Sequence, residues 1–178
     1  QGYSSAASDV YKRQIIASKL EDTFLKEETL FYETFFGYVS CKEPLFKHDV
    51  IRTSDITGER LWLLDEGHCF RDQLVRFCQM EAVKVSQMAY RLGSMETFMR
   101  MVESGKGITF IPELAVMQLT EEQRQLVRPF AIPRPTRQVV LATNRDFIRH
   151  SLLCVLKKEI KAVVPKEMLS LQPIQCLL

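Results

Sequence analysis

In residues 94–112, SMETFMRMVESGKGITFIP, a helical apolar stripe runs straight into an unbroken apolar stretch, with only Gly105–Lys106–Gly107 between them. Met95, Phe98, Met99 and Val102 recur at helical spacing and Gly105 closes the helix; ITFI then predicts a buried strand ended by Pro112. A helix coupled so tightly to a buried strand is the grammar of α/β folds, where helices cover the faces of a sheet. The rest of the chain follows it. IIAS from Ile15, LFYETFFGYVSC (30–41) and ERLWLLDE (59–66) predict strands, 70–79 a helix, and LTEEQRQLV a short helix capped by Thr120. Residues 146–164 predict an amphipathic helix packed through Ile148, Leu152, Val155, Leu156, Ile160 and Val163, with Arg149, Lys157, Lys158 and Lys161 largely off that side. Between them RPFAIPRPTRQVVLATN (128–144) opens on prolines 129, 133 and 135 and turns β-rich, which suits a crossover delivering a strand to another sheet.

A chain of 178 residues can hold one domain with a sizeable core, or a small domain plus part of another. Its 46% apolar and 26% charged residues are those of an ordinary water-soluble protein, with no run of about 18 apolar residues to span a membrane. The net charge of +2 supplies no broad basic field for nucleic acid. Five irregularly spaced cysteines and the lack of a secretory leader pattern fit a reducing, cytoplasmic setting. The opening residues 1–14, QGYSSAASDVYKRQ, are polar and patternless and meet IIASKL without turn chemistry, so a non-native or disordered lead is expected there.

The chemistry concentrates in LDEGHCFRDQLVRFC (64–78), where Cys69 and Cys78 stand nine positions apart. On a helix that spacing is a rise of roughly 13.5 Å and puts the two thiols on opposite faces. A disulfide needs its Cα atoms within about 4.4–6.8 Å, so these two could bond only if the helix unwound. Cys69 stands at the expected helix start, where unpaired N–H groups favour a thiolate, and His68 and Arg71 flank it; it is the expected nucleophile. Attack on a peroxide would give a sulfenic acid, which Cys78 is placed to resolve. Asp72 runs against a thiolate unless it pairs with Arg71 or His68. The plainer alternative is that both cysteines are small hydrophobes filling a core. Zinc is disfavoured, since His68, Cys69 and Cys78 contain no CxxC pair. Elsewhere, Gly105 and Gly107 are expected at a helix end and a close turn, Trp62 and Met95–Met101 in the core, His48 and His150 at the surface, and Cys41 and Cys154 packed; Cys176, in the tail QPIQCLL, has no visible role.

GHCFRDQ followed by Cys78 resembles the redox segment of the peroxide-sensing LysR-type transcription regulators, and residues 94–116 resemble the helix-to-strand signature of LysR-type effector domains. The resemblance covers about 15–164. It implies a type 2 periplasmic-binding-protein-like fold with two α/β subdomains joined by crossing strands: subdomain II over 32–137, and subdomain I from 15–31 plus 138–178 and a preceding segment absent from this sequence, as is the winged helix-turn-helix. It also implies that Cys69 is the peroxide-reactive cysteine and Cys78 the resolving one, with His68, Arg71, Asp72 and Arg137 supporting the pocket. The threonine hydroxyls with which the family holds peroxide have no counterpart here. The implied partners are hydrogen peroxide, a thiol reductant for resetting, further copies of the chain as dimer or tetramer, and promoter DNA and RNA polymerase through the full-length protein. No cofactor, metal, membrane or enzymatic turnover is implied. The competing functions are a LysR-type domain binding a small metabolite, and a thiol peroxidase, although no proline- and threonine-led cysteine motif is present.

Overall fold

The computed structural model describes residues 13–16, 25–56, 61–63, 69–78, 94–144 and 149–178, with the backbone alone for 13, 14 and 69–72. Its strands are β1 (Arg13–Ile16), β2 (Leu25–Val39), β3 (Leu61–Trp62), β4 (Ile108–Pro112), β5 (Val127–Pro129), β6 (Arg134–Asn144) and β7 (Gln175–Leu177). The helices are α1 (Cys69–Phe77), α2 (Met95–Glu103), α3 (Glu113–Val116), α4 (Glu121–Arg124) and α5 (His150–Val163). The chain divides into two compact units, one of residues 1–32 with 137–172 and one of residues 33–136 with 173–178. Both long strands change unit along their length, β2 after Tyr32 and β6 after Thr136. Residues 173–178, expected with subdomain I, group instead with the larger unit.

Within the larger unit β4 lies between β3, to which it is parallel, and β2, to which it is antiparallel; β5 also pairs antiparallel with β2. The side chains sort by strand alternation. Phe35 and Val39 of β2 join Ile108 and Phe110 of β4 in one cluster, which Leu74 and Cys78 complete. Tyr38 and Ile111 point the other way, into a second cluster with Met99 and Val102 of α2. Each face of the sheet thus carries its own helix, the layering that the 94–112 stretch demanded. Trp62 and Met95 pack against the second cluster as expected.

Local chemistry explains the joints. Ser94 caps α2 by accepting from the Thr97 N–H at 3.3 Å, and Gly105 (φ 96°) and Gly107 (φ 70°) take left-handed conformations between helix and strand. Thr120 and Gln123 form a reciprocal capping box at α4. Glu33, fully buried in β2, accepts the Leu114 N–H at 3.2 Å, while Glu113 accepts the Thr34 N–H at 3.3 Å, so the strand and the start of α3 are pinned to each other twice.

In the smaller unit β1 runs antiparallel to β6, from Arg13 opposite Thr143 to Ile16 opposite Val140. The strand therefore starts inside the segment expected to be unstructured, because ladder pairing uses backbone groups and asks little of the side chains. α5 departs from expectation more sharply. It buries Leu153, half-buries Lys157 and Ile160, and leaves Leu152, Val155, Leu156 and Val163 exposed. The packed stripe is rotated from the expected one because Lys157 turns inward to the Glu28 carboxylate, an ion pair that also holds Lys26 at 3.3 Å. Cys41 and Cys154, expected packed, are exposed, whereas His48 and His150 are at the surface as expected.

Candidate redox site

The site is built around α1. Leu74 and Cys78, four residues apart, project from the same side of the helix into the larger unit's core, where they are 0% and 7% exposed. Phe77 is half-buried and sets its edge on Phe130 (centroids 5.8 Å, interplanar angle 86°), which in turn contacts Phe110 at 5.5 Å. Aromatic pairs in this geometry add to simple burial, so the C-terminal end of α1 is anchored in the core.

That anchoring controls the second thiol. Burial pushes the Cys78 thiol up to about 12, because a thiolate would lose its hydration among Leu74, Ile51 and Phe130 without gaining a partner. In its resting position Cys78 is therefore a protonated hydrophobe and a poor nucleophile. Cys69 occupies the opposite end: it is the first residue of α1, where backbone N–H groups lack intrahelical acceptors and the helix dipole favours negative charge. The two cysteines thus stand at opposite ends of α1, and the backbone between them is helical, as the spacing argument required.

Arg71 and Asp72 lie in the first turn of α1, next to Cys69 in the chain. Arg137 is on β6 in the smaller unit, half-buried and with an interaction partner. His68 lies outside the described residues. Among the described residues no group of three metal-ligating side chains occurs, and no helix is long and apolar enough to cross a membrane. An open cleft of about 440 Å³, wholly within the larger unit, is walled by Phe77, Phe130, residues 51–54 and residues 131–133.

Two further contributors were not anticipated. Leu178 packs against the cluster that contains Cys78, and β7 runs parallel to the start of β6, Gln175 opposite Arg134 and Leu177 opposite Thr136. The signal was present in the tail: Ile174, Cys176 and Leu178 alternate at the strand period after Pro173. The run is too short to stand out without knowledge of the open edge of β6 that it joins.

Residues 15–164 match the LysR substrate binding domain family. Among curated relatives, the hydrogen peroxide-inducible genes activator of Dickeya chrysanthemi is 34% identical over 71% of this chain and 41% of its own length. The DNA-binding transcriptional dual regulator OxyR of Escherichia coli K12 is 33% identical over the same shares. The chain spans about two fifths of the length of these curated relatives. Among solved structures, reduced OxyR from Porphyromonas gingivalis superposes with a TM-score of 0.87 at 53% identity, covering 97% of this chain and 79% of that one. The reduced OxyR regulatory domain from Pseudomonas aeruginosa gives a TM-score of 0.73 at 29% identity over 88% of this chain and 75% of that one. With the periplasmic-binding-protein-like layering, the redox segment and these likenesses in agreement, this chain belongs to the LysR substrate-binding domain family and is similar to its OxyR members.

Proposed function

We propose that the chain is the peroxide-sensing regulatory domain of a LysR-type transcription activator. The observation that carries the reading is α1 itself: Cys69 begins the helix and Cys78 lies in the core just past its other end, too far apart to bond while the helix stands. The Cys69 thiolate attacks one oxygen of hydrogen peroxide; an S–O bond forms, the O–O bond breaks, and the leaving hydroxide takes a proton to become water. Opening of α1 then brings Cys78 out, its thiol loses a proton, and its sulfur attacks the Cys69 sulfenic acid. The S–S bond forms as the S–O bond breaks, and a second water leaves. Two thiols have lost two electrons to one peroxide. A thiol reductant reverses the reaction by exchange.

His68, Arg71, Asp72 and Arg137 are assigned to support the Cys69 thiolate. The domain is a sensor, not an enzyme: each signal needs one oxidation, and the covalent change biases two packings of the same core. In the full-length cytoplasmic regulator, the partners are promoter DNA, RNA polymerase and other copies of the chain. The test is one equivalent of hydrogen peroxide followed by peptide mass mapping. A single intramolecular Cys69–Cys78 disulfide is expected; both thiols recovered free would overturn the reading.

A further inference from the structure

We propose that β7 is a latch on the redox core: residues 173–178 are clamped to the larger unit while Cys78 fills its place there, and drawing Cys78 out releases them. The inference rests on the redox reading above for its trigger, and on separate contacts for its mechanism.

The tail is tied to the unit in two ways. Backbone bonds run from the Arg134 N–H to the Ile174 carbonyl at 2.7 Å and from the Leu178 N–H to the Thr136 carbonyl at 3.0 Å. Gln175 adds a side-chain bond, donating from Nε2 to Thr34 Oγ1 at 2.8 Å, beside the buried Thr136 hydroxyl 3.4 Å from the same oxygen. A three-residue parallel pairing is a weak element alone, so its apolar anchor decides whether it holds. Leu177 is 43% exposed and Ile174 38%, and neither belongs to the cluster that contains Cys78. Leu178 does, and its cluster is the one containing Cys78 and Leu74, with Val75 and Phe77 packed on it as well. Leu74, Val75 and Phe77 of α1, and Cys78 just after it, therefore share one apolar assembly with the tail's anchor.

The consequence is a coupling. Opening α1 far enough for Cys78 to reach Cys69 withdraws Cys78, and with it neighbouring α1 side chains, from the assembly against which Leu178 rests. Leu178 then loses packing partners, and β7 keeps only its few edge bonds. By linkage the coupling runs both ways: loosening the tail must make Cys78 easier to expose.

Two measurements on the full chain test this. The first compares amide hydrogen exchange at Arg134 and Leu178 in the reduced chain and after one equivalent of peroxide, with thiols mapped in the same sample. At least tenfold faster exchange at both amides in the disulfide form is expected, with β4 unchanged. A disulfide with no change at these amides overturns the latch and leaves the redox reading standing; absence of a disulfide overturns the redox reading. The second needs no oxidation. In the reduced chain, Leu178→Ala should speed alkylation of Cys78 by about tenfold, while Leu177→Ala, at an exposed neighbour, should not. Gln175→Ala, which cuts the tie to Thr34 and leaves Leu178 unchanged, should speed it by a smaller factor. Wild-type Cys78 alkylation in both Leu178→Ala and Gln175→Ala overturns the latch whatever peroxide does.

Discussion

The backbone N–H of Cys78 donates to the Leu74 carbonyl at 2.9 Å, so the helical ladder of α1 continues through the second cysteine. A disulfide between Cys69 and Cys78 would therefore have to work against helix stability, which would make helix stability a rate control. Arg76 is exposed in the last turn of α1, where its charge complements the dipole and its side chain enters no core cluster. Arg76→Gly should weaken the helix by about 1 kcal/mol, which raises the open population roughly fivefold. If opening precedes ring closure, the Cys69–Cys78 bond should form about five times faster in quenched-flow alkylation assays, while the first oxidation of Cys69 keeps its wild-type rate.

The two thiols should separate cleanly by variant. Cys69→Ser removes the group at the helix start and should abolish peroxide consumption. Cys78→Ser leaves the attack intact but deletes the resolving sulfur, so a sulfenic acid should accumulate at Cys69 and be captured by dimedone. Equal dimedone adducts in the two variants would overturn the assignment of roles.

Burial of Cys78 also predicts how stability responds to alkali. The folded thiol titrates at about 12, above its value in the unfolded chain, so the unfolded state loses its proton first. The protonated form favours folding; that contribution is complete below the unfolded thiol's pKa and is lost as pH rises from there toward the folded value. Urea midpoints measured from pH 8 to pH 11 should fall in the wild type, and Cys78→Ala should flatten part of that slope. An identical slope in both would place the alkaline sensitivity elsewhere.

The acid limb has a different owner. Tyr38 donates its hydroxyl to Glu103 at 2.9 Å, Gln123 donates to the same carboxyl oxygen at 2.8 Å, and Arg100 donates to the other at 2.9 Å. Burial pulls the Glu103 pKa upward, but these three donors outweigh it and hold it below the ordinary carboxylate value. The sign follows: the stabilisation is present above the unfolded pKa and disappears as pH falls through the depressed folded one. Tyr38→Phe keeps the fully buried ring and deletes one donor, so it should cost about 1 kcal/mol at neutral pH and less in acid. Urea titrations at pH 7 and pH 3 would test the difference; a cost independent of pH would mean the hydroxyl acts through packing alone.

What could be read in advance was whatever depends on neighbours in sequence. The helix-to-strand joint at 94–112, the Thr120 cap and the two glycines with positive φ are local chemistry, and each stands where expected. The helical placement of Cys69 and Cys78 belongs to the same class. Failures came where a distant partner decides. Lys157 turned α5 because Glu28, 129 residues away in sequence, offers a carboxylate. The tail became a strand because β6 presents an edge to it, and nothing near residue 175 specifies that edge. Cys41 and Cys154 are exposed although cysteine is on average a buried residue, because residue type describes average burial and not a particular site.

A final prediction concerns Gly37, whose missing side chain is what lets β2 pass Ile51. A Cβ on Gly37 would clash with Ile51 Cδ1, and Ile51 is fully buried, bridged to β5 and its neighbour by bonds to the Pro129 carbonyl and from the Ala131 N–H. The clash falls on a side-chain tip, so it could be relieved by rotation in open space. Ile51 is fully buried, so moving its tip disturbs packed neighbours even though the residue also walls the open cleft, and overpacking of this kind typically costs about 1–3 kcal/mol. Gly37→Ala should lose that much stability in urea. Ile51→Val deletes the Cδ1 methyl that makes the clash, so in that background the cost of Gly37→Ala should shrink by about 1 kcal/mol, the coupling expected of two positions in contact. Strictly additive costs would mean that β2 shifts as a whole to admit the methyl, and that Ile51 is a bystander.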